Sequence, residues 1–139
     1  MDIIATEQAS ATAGREGQAR SKDGKIDLKL SPPGSGGDGT NPEQLFAAGY
    51  ASCFGQAIKS VAKTQGVSID ADALEVDATV SLGKAEDGFT LEVTLDAHIK
   101  GASDDDAKVL VEKAHDICPY SRATRGNIQV RLKSAGKDI

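Results

Sequence analysis

Apolar and polar positions alternate in four stretches of the chain and recur at helical spacing in two others. Ile26, Leu28 and Leu30 alternate with Asp27 and Lys29, the period-two pattern of a strand with one buried face. Asp23-Gly24 just before it is a favoured hairpin dipeptide, and Gly14-Arg15-Glu16-Gly17 marks an earlier turn. Residues 3–30 therefore predict three short strands. Leu74, Val76, Ala78, Val80 and Leu82 alternate with polar residues, as do Phe89, Leu91, Val93, Leu95, Ala97 and Ile99, with Asp87-Gly88 turning between the two runs. That is a second hairpin. Ile128, Val130 and Leu132 supply a last strand.

The first helical stretch runs from Leu45 to Ala62 and carries Leu45, Phe46, Ala48, Tyr50, Cys53, Phe54, Ala57, Ile58 and Val61. It is apolar nearly all round, which predicts a buried helix central to the fold. Thr40 or Asn41 can cap it, Pro42 suits its first position, Glu43 favours its amino-terminal dipole, and Gly66 ends it. Ser103-Asp104-Asp105-Asp106 caps a second helix, whose Val109, Leu110, Ala114 and Ile117 form an inward stripe. It stops at Cys118-Pro119, because the residue before proline disfavours helical geometry. Ser31 to Gly39, with two prolines and four glycines, is a loop and the most mobile segment expected. The order βββ-α-ββ-α-β is that of an α+β protein with mostly antiparallel sheets packed on two central helices.

The 139 residues, 39% hydrophobic and 27% charged, fit a single globular domain spanning residues 1–139. Aromatic residues are only 4% and Trp is absent, so the core rests on Ala, Val, Leu and Ile. A small chain of that kind often completes its burial against a second copy of itself. Lys and Arg number 16 against 21 Asp and Glu, a net charge of -5 with no basic tract. Nucleic-acid binding, which needs a clustered basic surface, is therefore not expected. The start Met1-Asp2-Ile3-Ile4-Ala5-Thr6-Glu7 lacks a secretory pattern, and no segment approaches the roughly 20 apolar residues of a membrane span. A cytoplasmic protein without membrane insertion is the expectation.

Two cysteines in a reducing compartment are either small buried hydrophobes or thiols with chemistry to do. Cys118 is followed at once by Tyr120, Ser121, Thr124, Arg125 and Asn127, a polar cluster without core periodicity. A free thiol is only a few per cent ionised at neutral pH, and a neighbouring guanidinium raises that fraction. Arg15, between two glycines at a hairpin tip, can supply one, and Glu43 can hold the arginine or simply face solvent at its helix start. A zinc site from Cys53, Cys118, His98 and His115 fails on spacing, since there is no Cys-x-x-Cys pair. His115 stands three residues before Cys118, but no polar partner is evident to orient its imidazole.

The stretches Gly39 to Phe54 (GTNPEQLFAAGYASCF) and Cys118 to Ile128 (CPYSRATRGNI) closely resemble the two cysteine motifs of the organic hydroperoxide resistance proteins, a branch of the OsmC superfamily. Gly14-Arg15-Glu16-Gly17 is similar to that family's glycine-flanked arginine, and Asp23 to Leu30 to its following strand. Arg122 stands where the family carries Asn and adds a positive charge four residues after Cys118. The resemblance implies an OsmC-like fold in an intertwined homodimer and a thiol peroxidase that reduces organic, above all fatty-acid, hydroperoxides in resistance to oxidative stress. It makes Cys53 the peroxidatic thiol, Cys118 the resolving one, Arg15 the partner of thiolate and peroxide, and Glu43 the carboxylate that positions Arg15. It implies no bound cofactor or metal, with a lipoylated protein dithiol as external reductant.

For Cys118 to resolve a Cys53 sulfenic acid, the helix carrying Cys53 must pack against the end of the helix carrying Cys118. Leu45, Phe46, Phe54, Ile117 and Tyr120 are candidates to line an alkyl pocket. Glu43 and Cys53 are ten positions apart, about 15 Å along a straight helix. Unless that helix starts late or bends near Gly49, Arg15 and Glu43 serve the cysteines of a partner chain. The readings from other classes are a peroxide-sensing dimer without sustained turnover and a ligand-binding protein with inert thiols.

Overall fold

Strands β1 (Ala9–Ala11), β2 (Gln18–Ser21) and β3 (Asp27–Lys29) form an antiparallel sheet in the order β1-β2-β3, in a computed structural model that describes residues 1–139. The register pairs Ala9 with Ser21 and Gln18 with Lys29. This sheet belongs to the first of two compact units, Met1–Leu45; the second is Phe46–Ile139. The β1–β2 connection is a single 3-10 turn, Gly14–Glu16. Gly17 closes it against Thr12, whose carbonyl oxygen lies 2.0 Å from where a Cβ on residue 17 would sit. Only glycine allows that approach.

The β2–β3 hairpin turns at Asp23-Gly24 as its sequence predicts, with Asp23 Oδ1 accepting from Ser21 Oγ and from the Lys25 N–H. The expected buried face of the third strand is not formed within the chain. Leu30 is buried, but Ile26 and Leu28 remain 41% and 40% exposed, because the three-stranded sheet has no second layer within its own unit to cover them. Ser31 to Gly39 is clipped at its ends, where Ser31 N–H donates to the Thr40 carbonyl and Gly39 N–H to Ser31 Oγ.

Helix α1 (Pro42–Gln65) begins in the last residues of the first unit and is unbroken through Gly49. Asn41 caps it, its Oδ1 accepting from the Gln44 N–H at 2.9 Å. At the other end Gly66 takes φ 68°, and the Val67 N–H reaches back to the Ala62 carbonyl while the Gly66 N–H bonds that of Lys63, the paired bonds of a Schellman cap. The helix is not enclosed all round. Tyr50, Phe54, Ala57, Ile58, Val61 and Ala62 form one buried stripe, while Ala48, Ser52 and Gln56 are exposed. Small Ala, Gly and Ser side chains make the opposite face read as apolar without requiring cover.

In the second unit, β4 (Glu75–Ala85), β5 (Gly88–His98), β6 (Gln129–Ser134) and β7 (Lys137–Asp138) form a sheet in the order β4-β5-β6-β7. The β4–β5 hairpin turns at Glu86-Asp87, one residue before the expected Asp87-Gly88: Gly88, at φ 134°, already opens β5 and pairs with Ala85. Pairing of β5 with β6 is parallel, since the chain crosses between them through α2 (Asp104–Ile117) and the short α3 (Pro119–Thr124). Both α3 and β7 lie outside the element order the sequence predicts. Ser103 Oγ caps α2 by accepting from the Asp106 N–H.

The buried stripe of α2 is Ala107, Leu110, Val111 and Ala114, with Val109 and Ile117 outward at 42% and 49% exposure. The true i, i+3, i+4, i+7 set is thus offset from the expected one. Val93, Leu95 and Ala97 of β5, the α1 stripe and Leu110, Val111 and Ala114 of α2 close one core. The protein is an α+β fold with both main helices packed on the sheet. No helix is long and apolar enough to cross a membrane.

Candidate active site

Cys53 sits on α1 one turn beyond Tyr50, and Cys118 occupies the junction between α2 and α3. Pro119 forces that junction. Cys118 takes an extended backbone (φ -60°, ψ 124°), and proline at the first position of α3 restarts the helix. The break aims the Cys118 side chain back at α1, where its Sγ lies 3.6 Å from Cys53 Sγ, with the Cys118 S–H as donor. Both thiols are free.

Their surroundings differ. Cys118 is completely enclosed in the core, whereas Cys53 is half-buried and faces an open groove of about 380 Å³ lined by Ser52, Gln56, Ser60, Ile117 and Pro119. A molecule arriving from solvent therefore meets Cys53, with the second sulfur directly behind it. Burial pushes the Cys53 thiol up; the backbone N–H of Tyr120 opposes that rise and the Cys118 thiol adds to it. The net effect favours the neutral thiol over the thiolate, and a nearby positive charge would act in the opposite sense.

In the first unit, Arg15 and Glu43 form a two-pronged pair. Arg15 Nη1 donates to Glu43 Oε2 and Nη2 to Oε1, each at 2.7 Å. Glu43 is well covered at 12% side-chain exposure while Arg15 keeps 42%, so the carboxylate anchors a guanidinium that still has free donors. Hydrogen bonding from Arg15 holds the Glu43 carboxyl below the ordinary carboxylate range. The carboxylate that the sequence leaves open between anchor and surface residue is thus found bonded to Arg15.

Of the five residues expected to line an alkyl pocket, Ile117 lines the groove beside Cys53. Phe54 does not: it is fully buried in the core, since it follows Cys53 by one position and so points a quarter-turn away on the helix. Leu45 and Phe46 are half-buried. Tyr120, 40% exposed, lays its ring against Phe46 and Tyr50 with centroids 6.2 and 5.7 Å away. It approaches α1 so closely that a Cβ on Gly49 would be 3.1 Å from its hydroxyl. Arg122 lies on the exposed side of α3.

The sequence reading missed the partner of His115. Its Nδ1 is 2.8 Å from Ser121 Oγ, and burial together with the nearby Arg125 charge pushes the imidazole down. Ser121 and Thr124 looked like irregular polar residues, yet they are the buried i, i+3 stripe of α3. Proline at position 119 was the signal that a new helix begins there.

The family model described as OsmC-like protein matches residues 34–133. An organic hydroperoxide resistance protein of Xanthomonas axonopodis pv. citri is 47% identical over 137 residues, covering 96% of each chain. This chain belongs to the organic hydroperoxide resistance branch of the OsmC-like family. The branch includes organic hydroperoxide resistance protein OhrB of Bacillus subtilis, 47% identical over 133 residues, covering 92% of this chain and 96% of that one. The crystal structure of that OhrB superposes with a TM-score of 0.88 over 95% of this chain and 99% of the other. The expected OsmC-like fold is therefore the fold found.

Proposed function

We propose that this protein is a cysteine peroxidase that reduces organic hydroperoxides and thereby serves resistance to oxidative stress in the cytoplasm. The observation that carries the reading is the asymmetry of the thiol pair: a half-open Cys53 at a groove, backed at 3.6 Å by a fully enclosed Cys118. The names of the relatives point the same way.

The Cys53 thiolate attacks the outer oxygen of R–O–O–H. An S–O bond forms, the O–O bond breaks, and the alkoxide takes a proton and leaves as alcohol, with Cys53 as sulfenic acid. Cys118 sulfur then attacks Cys53 sulfur; an S–S bond forms and water leaves with the Cys118 proton. A dithiol of the lipoyl class reduces the disulfide and becomes a disulfide itself. The apolar wall of Ile117 and Pro119 suits an alkyl chain, each buried CH₂ contributing about 0.8 kcal/mol, and so favours fatty-acid hydroperoxides over hydrogen peroxide.

Ionising Cys53 against its burial needs a cation, and the anchored Arg15 is that cation in this reading. It serves the cysteines of a second copy in a homodimer. The test is multiple-turnover loss of an alkyl-hydroperoxide series driven by dihydrolipoamide, compared with monothiols. Turnover that favours the dithiol and longer chains and vanishes in Cys53→Ser is expected. A single oxidation without turnover would make the protein a sensor, and no oxidation at all would make the thiols inert.

A further inference from the structure

Behind the cysteine pair lies a group of buried hydroxyls that the chemistry above does not use. Tyr50 is completely enclosed, and its hydroxyl is 2.9 Å from Ser121 Oγ and 3.2 Å from Thr124 Oγ1. Ser121, equally enclosed, reaches His115 Nδ1 at 2.8 Å. Thr124 Oγ1 also donates to the Ser121 carbonyl, and the Arg125 guanidinium donates to the His115 carbonyl. The network ties three elements together: α1 through Tyr50, α2 through His115, and α3 through Ser121 and Thr124.

Its placement is tied to the two sulfurs. Tyr50 precedes Cys53 by three residues, His115 precedes Cys118 by three, and Ser121 follows Cys118 by three, so each tie lies about one helical turn from a cysteine. A core that needed only packing would take Phe at 50 and Ala at 121. A satisfied buried hydroxyl adds little net stability, but a connected set of them is directional and admits one arrangement of the elements carrying it. Here that arrangement is the angle between α1 and the α2–α3 break, the same angle that sets the Sγ–Sγ distance.

We propose that Tyr50, Ser121 and His115 form a positioning clamp that holds Cys118 Sγ within bonding reach of Cys53 and so sets the effective concentration of the two thiols for each other. Its catalytic consequence rests on the peroxidase reading: the clamp governs resolution of oxidised Cys53, and leaves the attack of Cys53 on peroxide unchanged.

The test has two arms, both on the full chain. In the first, wild type, Tyr50→Phe and Ser121→Ala are equilibrated with reduced and oxidised glutathione without any peroxide, and the Cys53–Cys118 disulfide is quantified. Tyr50→Phe keeps the ring and its packing and removes only the hydroxyl, so it decides the matter even where Ser121→Ala folds poorly. At least a tenfold fall in effective concentration is expected, about 30 mV for this two-electron couple. A value within twofold of wild type overturns the clamp.

In the second arm, rapid mixing with a limiting alkyl hydroperoxide follows Cys53 oxidation and disulfide formation separately. Tyr50→Phe is expected to oxidise at the wild-type rate and to form the disulfide at least tenfold more slowly. Slowed oxidation with unchanged resolution overturns the proposal. A wild type that ignores peroxide, together with a positive glutathione arm, overturns the peroxidase reading and leaves the clamp standing.

Discussion

Replacing Cys118 by Ser tests the chemistry most directly, because it exchanges a single atom, sulfur for oxygen, in a fully enclosed site and leaves the groove side of Cys53 untouched. In the wild type the two sulfurs are 3.6 Å apart. One thiol confined to a sphere of that radius corresponds to about 8 M, before any gain from orientation, and well-oriented intramolecular groups exceed such values by orders of magnitude. An external thiol at millimolar concentration is therefore slower at resolving a Cys53 sulfenic acid by about 10⁴-fold or more.

The first oxidation should keep its wild-type rate, while the sulfenic acid persists long enough to be trapped and, under excess peroxide, to advance to the irreversible sulfinic acid. The assay is quenched mixing with an alkyl hydroperoxide, trapping by a sulfenic-acid-specific carbon nucleophile, and mass spectrometry of the Cys53 peptide. Wild type should give disulfide and no adduct; Cys118→Ser should give adduct, then dioxygenated Cys53. If Cys118→Ser turns over and survives excess peroxide as the wild type does, the resolving role is wrong, and with it the reasoning from the Sγ–Sγ distance.

Three other outcomes are expected. Mixing Arg15→Ala chains with Cys53→Ser chains, each inactive alone, should restore activity from heterodimers with one intact composite site; no recovery would return the Arg15–Glu43 pair to its own chain's cysteines. In Gly17→Ala the added Cβ meets Thr12 backbone at 2.0 Å, so the hairpin tip must move: peroxide reduction should fall to the level of Arg15→Ala while circular dichroism retains the helical signal, and full activity would refute the placement. Glu43, whose folded carboxyl lies below its unfolded value because Arg15 donates to it, stabilises the fold above the unfolded value of about 4.3 and loses that contribution as pH falls through the folded one. Glu43→Gln should accordingly flatten the acid limb of a stability profile measured by denaturant unfolding, and an unchanged limb would show that the pair does not contribute.

Much of this protein is local, and local order can be read from residue order. The Asn41 and Ser103 caps, the Gly66 stop, the Asp23-Gly24 turn and, to within one residue, the β4–β5 turn each depend on a few adjacent residues, so their signals survive in the sequence alone. The two cysteine motifs and the glycine-flanked Arg15 carried the family resemblance for the same reason. Only tertiary packing decided which α1 and α2 positions are inward, because the offset of a stripe depends on the partner surface and not on the helix. It decided that β6 lies parallel to β5, since a strand's neighbour is chosen by the crossover over the sheet. It also brought Tyr50, His115 and Ser121 together across as many as 71 positions, and set a buried sulfur behind a half-open one, because distances between residues far apart in sequence exist only once the core has closed.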